Sequence, residues 1–248
     1  MNPLDLRPLH QFGYINPVLV SDFIHYQFYH LFPPNSLLVT YHLALGSFSA
    51  DGVDTAMEPF WGAVDFLSRR EVERITLGGV PLSAFLGRDR VLRTLDEARA
   101  RTTVPVTTDF EESIGAINAL ELRKVAVAAK WDPVLMQALA DYLRHAGISI
   151  TGTHGDPHTA QQVVALRPQE SIDIAVALGR DAYAKMPDAD GLFLAGGAWL
   201  VQQAVLELET EFGRPVVTNP GATYWGAMRS KGLQSPTSGH GRLIDSLR

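Results

Sequence analysis

The sequence predicts an α/β protein of two related halves that face each other across a shared cleft. The first observation behind this is a repeated unit. Ile75-Thr76-Leu77-Gly78-Gly79 is an apolar run that breaks into glycines, and a helix-length stretch later comes Val104-Pro105-Val106-Thr107-Thr108-Asp109 and a further helical pattern. Leu192-Phe193-Leu194-Ala195-Gly196-Gly197 does the same ahead of Arg214-Pro215-Val216-Val217-Thr218-Asn219 and another helix. The second observation is that short apolar runs alternate with stretches of helical period along the whole chain, which argues parallel sheet covered on both faces. The third is the chemistry of the glycine turns: such strand, turn, helix units leave backbone N–H groups where an anion can bind.

Taken in order, strands are expected at 12–15, 36–45, 74–77, 104–108, 124–128, 148–153, 191–194 and 215–218. Amphipathic stretches lie between them, among them 133–145, with Leu135, Leu139, Tyr142 and Leu143 on one face, and 170–184. No low-complexity linker divides the chain, so short crossovers join the halves. The Gly-, Ser- and Pro-rich tail at 230–240 reads as a loop.

With 248 residues, 46% hydrophobic and only 19% charged, the chain can bury a large core and is neither disordered nor fibrous. A net charge of −6 provides no basic stripe for phosphates, which argues against nucleic acid. No apolar run reaches the roughly 18 residues of a spanning helix, and residues 1–11 lack the pattern of a signal peptide, so a cytoplasmic protein without a membrane partner is expected. The chain has no cysteine, which removes disulfides, thiolate metal sites and thiol nucleophiles together.

Several segments carry a resemblance, in the same order along nearly the whole chain. They are Leu43-Ala44-Leu45-Gly46-Ser47; Ile75 to Gly79 with Ser83 and Gly87; Asp190 to Gly197; Glu207 to Asn219 with Tyr224, Trp225 and Arg229; and Gly241-Arg242-Leu243-Ile244-Asp245. Together they resemble the arylmalonate decarboxylase family and, more broadly, maleate isomerases and the aspartate/glutamate racemase superfamily. The resemblance implies two pseudo-symmetric Rossmann-like α/β domains, each a mainly parallel four-stranded sheet flanked by helices, with the active site in the interdomain cleft. It implies residues 1–117, completed by 222–248, as the first domain and 118–221 as the second. It also implies no cofactor, a small-molecule carboxylate substrate and acid/base chemistry at the carbon beside that carboxylate. Whether the chain forms a homo-oligomer is left open.

The same resemblance exposes a loss. The family's cysteines would fall at Gly79 and Gly196; in the decarboxylases the first is already glycine, and here both are. Two hydroxyl residues after the first turn are replaced by Val80 and Pro81, and a pocket tyrosine by Trp131. Pro17 matches a pocket proline, with Asn16 beside it. A thiolate at a turn is a base and nucleophile; glycine is neither. Pro81 also removes an N–H from the first turn. What survives is the second turn, where the N–H groups of Gly197 and Ala198, and a helix expected to begin near Trp199, would hold a carboxylate or oxyanion.

Other residues are then candidates for acid and base. His154 and Asp156, in Thr153-His154-Gly155-Asp156-Pro157-His158, follow a strand, where ligands bind in parallel sheets. The imidazole would transfer a proton with the carboxylate orienting it. The competing reading is a surface turn broken by Asp156-Pro157. A metal on the His-x-Asp-x-His spacing is disfavoured because Gly155 and Pro157 interrupt a regular strand. Lys130, at a strand end, would be a cation for a carboxylate or a desolvated base, although alternation would turn it away from the cleft if Trp131 lines it. Tyr41, His42, His25 and His30 read as packing residues. Asn16 and Asn219 offer amides to orient a substrate, Asn219 standing where the first repeat has Asp109.

Two functional readings follow. One is a cofactor-free lyase or isomerase that acts on a small carboxylic acid without cysteine. The other is a non-catalytic carboxylate-binding member of the superfamily. A nicotinamide dehydrogenase is disfavoured, since neither turn is Gly-x-Gly-x-x-Gly.

Overall fold

The structure is a computed structural model that describes residues 7–20, 22–45 and 50–248. Gly46 and Ser47 of the first motif, and residues 1–6 of the N-terminal stretch, lie outside them. The eight expected strands are all found: β1 His10–Asn16, β2 Ser36–His42, β3 Ile75–Leu77, β4 Val106–Thr108, β5 Lys124–Ala129, β6 Ser149–Gly155, β7 Gly191–Ala195 and β8 Val216–Thr218. They form two four-stranded sheets of identical order, β2-β1-β3-β4 and β6-β5-β7-β8, with every pair parallel. β2 stops at His42 rather than at residue 45, because Ala44 takes a left-handed φ of 57° that breaks the extended run. Leu43 and Leu45 nevertheless donate to the carbonyls of Asn16 and Pro17, tying this segment to the end of β1.

Helix starts follow their capping chemistry. The helix Pro133–His145 begins where Asp132 accepts from the Val134 and Leu135 N–H groups, with Pro133 at the first position, where its missing N–H costs nothing. The helices after β4 and β8, Asp109–Ala119 and Asn219–Ser230, are capped alike: Thr108 Oγ1 accepts from Glu111 and Thr218 Oγ1 from Gly221, both at 3.0 Å. These equivalent helices pack against each other.

The strand period of two sorts the second sheet between two cores. Val125, Val127, Ala129, Phe193, Ala195 and Val217 point into the main cluster, which also holds Phe12, Phe28, Leu77, Phe110 and Tyr224. The alternating Ala126, Ala128, Leu192, Leu194 and Val216 pack under the helices Pro168–Lys185 and Val205–Phe212. One face of the second sheet is therefore buried in apolar packing shared with the first, so the halves are joined by core and not by linkers alone. Buried Gln27, from the helix Asp22–Leu31, adds a polar clasp: its Nε2 donates to the Trp199 carbonyl (3.2 Å) and its Oε1 accepts from the Gln202 N–H (3.2 Å). No helix among the described residues is long and apolar enough to cross a membrane.

Candidate functional site

Parallel strands of one order place their carboxyl ends together, and here the two sheets present those ends to each other. Gly79 follows β3, Asp109 follows β4, Gly196 follows β7 and Asn219 follows β8. The halves repeat one hydrogen bond: the Gly79 N–H donates to Asp109 Oδ2 (2.8 Å), and the Gly196 N–H donates to Asn219 Oδ1 (2.7 Å). Asn219 Nδ2 then crosses between the halves to Asp109 Oδ2 (3.2 Å). This frame closes the floor of a cavity of about 730 Å³, counting the part open to solvent.

Both turns hold backbone that favours glycine, with φ of 93° at Gly79 and 137° at Gly196. At Gly196 the constraint is also steric: a Cβ there would lie 1.9 Å from the Trp199 indole Nε1. The indole, almost wholly buried, therefore occupies the space a side chain at residue 196 would need. Its ring face lies 3.8 Å from Lys130 Nζ. At Gly79 a Cβ would meet Pro17 Cγ at 2.6 Å.

Lys130 is the first residue beyond β5. It is only 2% exposed, and its Nζ is buried without a hydrogen-bond partner. Burial draws its amine down to about 7, with the charge of Asp156 opposing. Asp109 is 1% exposed, and its Oδ1 has no partner. Burial pushes its carboxyl up to about 7, against the hydrogen bonds from Gly79 and Asn219. A carboxyl and an amine that each change charge near neutrality thus line one cavity. Tyr14, also lining it, is buried with its hydroxyl over Gly78 and is held well above its ordinary range by burial and by Asp109.

The structure brings together most of the residues expected from sequence. Asn16, Pro17, Gly79, Val80, Lys130 and Trp131 line the cavity, as do Gly196, Gly197 and Ala198. Lys130 and Trp131 line it together because strand alternation ends at Ala129. Asn219 sits behind the Gly196 turn and binds its N–H instead of offering an amide to the cavity. The Asn16 amide is spent on the Val18 and Val20 carbonyls, and the Gly79 N–H on Asp109. The expected helix at Trp199 is absent: residues 196–201 are irregular, and the α-helix starts at Val205 after the short turn Gln202–Ala204. No helix dipole therefore supports the second turn. Its Gly197 and Ala198 N–H groups nonetheless have no acceptor among the described residues.

His154 and Asp156 do not line the cavity. Alternation along the edge strand β6 turns His154 toward the helix Pro168–Lys185, where its ring nitrogens lie 3.0 and 3.3 Å from Lys185 Nζ and 3.6 Å separates it from Asp181. Asp156 is exposed, its N–H donating to the Ala129 carbonyl (3.1 Å). Two residues on, the His158 N–H donates to the Lys130 carbonyl (3.2 Å), and this pulls His158 into the cavity wall. The described residues gather no cluster of metal-ligating side chains. Sequence reasoning passed over Asp109, His158 and Trp199 as site residues. For Asp109 the repeat held the signal, a carboxylate where its partner has an amide.

Comparisons with known proteins agree with this geometry. The family model described as arylmalonate decarboxylase matches residues 29–244. An arylmalonate decarboxylase from Bordetella bronchiseptica is 28% identical over 214 residues, 86% of this chain and 88% of its own. Among solved structures, a doubly substituted arylmalonate decarboxylase in a liganded form has a TM-score of 0.86 at 26% identity, covering 96% of this chain and 99% of that chain. The Nocardia farcinica maleate cis-trans isomerase bound to TRIS shares the fold at a TM-score of 0.83 and 17% identity, over 96% and 98% of the two chains. Over most of its length, then, the chain belongs to the arylmalonate decarboxylase family.

Proposed function

We propose that the protein is a cofactor-free lyase or isomerase acting on a small carboxylic acid by proton transfer beside the carboxylate, with an amine and a carboxyl doing the work of a thiol. The observation that carries this reading is the pair Lys130 and Asp109, both in the cavity and both poised near neutral pH. An acid or base is most effective when its pKa lies near the working pH. The Gly197 and Ala198 N–H groups are free to hold a carboxylate and to stabilise the charge that develops on it when the carbon beside it becomes a carbanion. Lys130, once protonated, delivers the proton to that carbon, while Asp109 exchanges the proton that resets the site. His154 and Asp156 have no part in this step.

The test is turnover of a panel of substituted malonates, maleate and hydroxy acids, read as carbon dioxide release and as deuterium incorporation beside the carboxylate. Lys130→Met is expected to lower the turnover number by about 10²- to 10⁴-fold, and His154→Ala to leave it unchanged. Full activity in Lys130→Met would remove Lys130 from the reaction. A second reading, a carboxylate-binding member that catalyses nothing, is favoured by the unpartnered Nζ, which a bound carboxylate would satisfy. Saturable binding of a carboxylate without turnover or deuterium exchange selects it.

A further inference from the structure

Lys130 carries more than proton transfer requires. An ammonium kept only to donate a proton is normally held by acceptors, yet here the buried Nζ of a residue that lines the cavity lies over an indole face, with no hydrogen-bond partner among the described residues. Among the described residues no carboxylate is within ion-pair distance of it, and only the charge of Asp156 acts on it from further off. Burying an ammonium in this way is costly, and the cation–π contact repays only part of that cost. Burial therefore favours the neutral amine, with its lone pair available, as in a nucleophilic lysine in an apolar pocket. The other lysines differ: Lys124 is exposed at the start of β5, Lys185 pairs with His154, and Lys231 pairs with Glu73.

We infer that Lys130 forms an imine with its substrate, and that the substrate class is a 3-oxo acid whose carboxylate is taken by the Gly197 and Ala198 N–H groups. The inference rests on reading this cleft as a site of carboxylate chemistry and specifies how the carbanion is stabilised. A 3-oxo acid fits because an iminium at C3 accepts the electron pair released when the C1–C2 bond breaks. Ile24, Val80 and Trp131 provide apolar wall for the substituent on the carbonyl.

The steps balance. The neutral Lys130 amine adds to C3, and the carbonyl π pair moves to oxygen, which is protonated. The nitrogen loses a proton, the oxygen gains a second one, and water leaves to give the iminium. Asp109, with its free Oδ1, is the group that passes these protons. The C1–C2 bond then breaks, carbon dioxide departs, and the bonding pair forms the C2–C3 double bond of a neutral enamine. C2 takes one proton, water adds to C3, and the ketone is released with the amine restored. Overall, one oxo-acid anion and one proton give one ketone and one carbon dioxide.

The experiment is reductive trapping of the wild-type protein with benzoylacetate or acetoacetate and sodium cyanoborohydride, followed by peptide mapping. The expected result is an irreversible adduct on Lys130 and on none of Lys124, Lys185 and Lys231, with loss of turnover in proportion to labelling. Lys130→Arg, checked for native circular dichroism, should give no adduct. Turnover of either oxo acid without an adduct at Lys130, labelling confined to the exposed lysines, or neither turnover nor adduct would overturn the inference. Decarboxylation of a substituted malonate in the absence of trapping would leave the proton-transfer reading intact while the imine fails. An adduct without carbon dioxide release would keep the imine and remove the lyase reading.

Discussion

A lysine held almost free of solvent, with only the charge of Asp156 acting in its favour, is a cost the fold bears at a single residue. Its sign can be worked out. The folded pKa of Lys130, about 7, lies below the 10.5 of the unfolded chain, so its contribution is full above about 10.5 and is lost as pH falls toward 7. Lys130→Met should therefore be more stable than wild type near neutrality. The gap in Tm should widen as pH drops from 10 to 7 and then level, at about 2 to 4 °C per kcal/mol for a chain of this size. Asp109 runs the other way. Its folded pKa, about 7, lies above the unfolded 3.8, so its contribution is full below about 3.8 and is lost as pH rises through 7. Thermal melts of Asp109→Asn across pH 4 to 8 should gain on wild type as pH rises. Of these two residues only Lys130 was legible as a candidate, because a lysine ending an apolar strand is conspicuous. Asp109 opens a helix with Glu111 and Glu112 close behind, and nothing local distinguishes it from an ordinary first-turn acid. His154 misled for the opposite reason: a strand end marks the cleft, yet edge-strand alternation decides which way the side chain faces.

At the scale of elements, the glycine turns and the strands that deliver them were readable from composition and period. Their contents were not, since the Gly196 turn is shaped by an indole three residues downstream that no local pattern places. This yields a further expectation. Gly196→Cys should not restore a family-type thiol site. It places a side chain at φ 137° and in the Trp199 ring, and left-handed strain alone costs about 1 to 3 kcal/mol. In a double-mutant cycle with Trp199→Ala, which clears the space, urea melts should show favourable coupling between the two changes. Strict additivity would mean that the indole does not fill the space a side chain at residue 196 would take. The Thr108 and Thr218 caps are a second device shared by both repeats, and Thr218→Ala should lower stability by about 1 kcal/mol.

For the molecule as a whole, the repeat supports one consistent account. Two sheets of identical order turn their carboxyl ends toward each other, and the Gly–Asx hydrogen bond appears in both halves. What differs between the halves is the pair of groups on that frame: a carboxyl at Asp109 opposite an amide at Asn219, with an amine at Lys130 and an indole filling the space beside Gly196. The shared core and the Gln27 clasp hold these groups in register. The central claim is that the cleft holds an amine that is substantially neutral at physiological pH. Its most direct test needs no substrate: the titration of the Lys130 side-chain nitrogen by NMR in lysine-labelled protein, with the resonance assigned by its loss in Lys130→Met. The resonance lost in Lys130→Met titrating near 7 is the predicted result; that same resonance titrating near 10.5 would contradict the account.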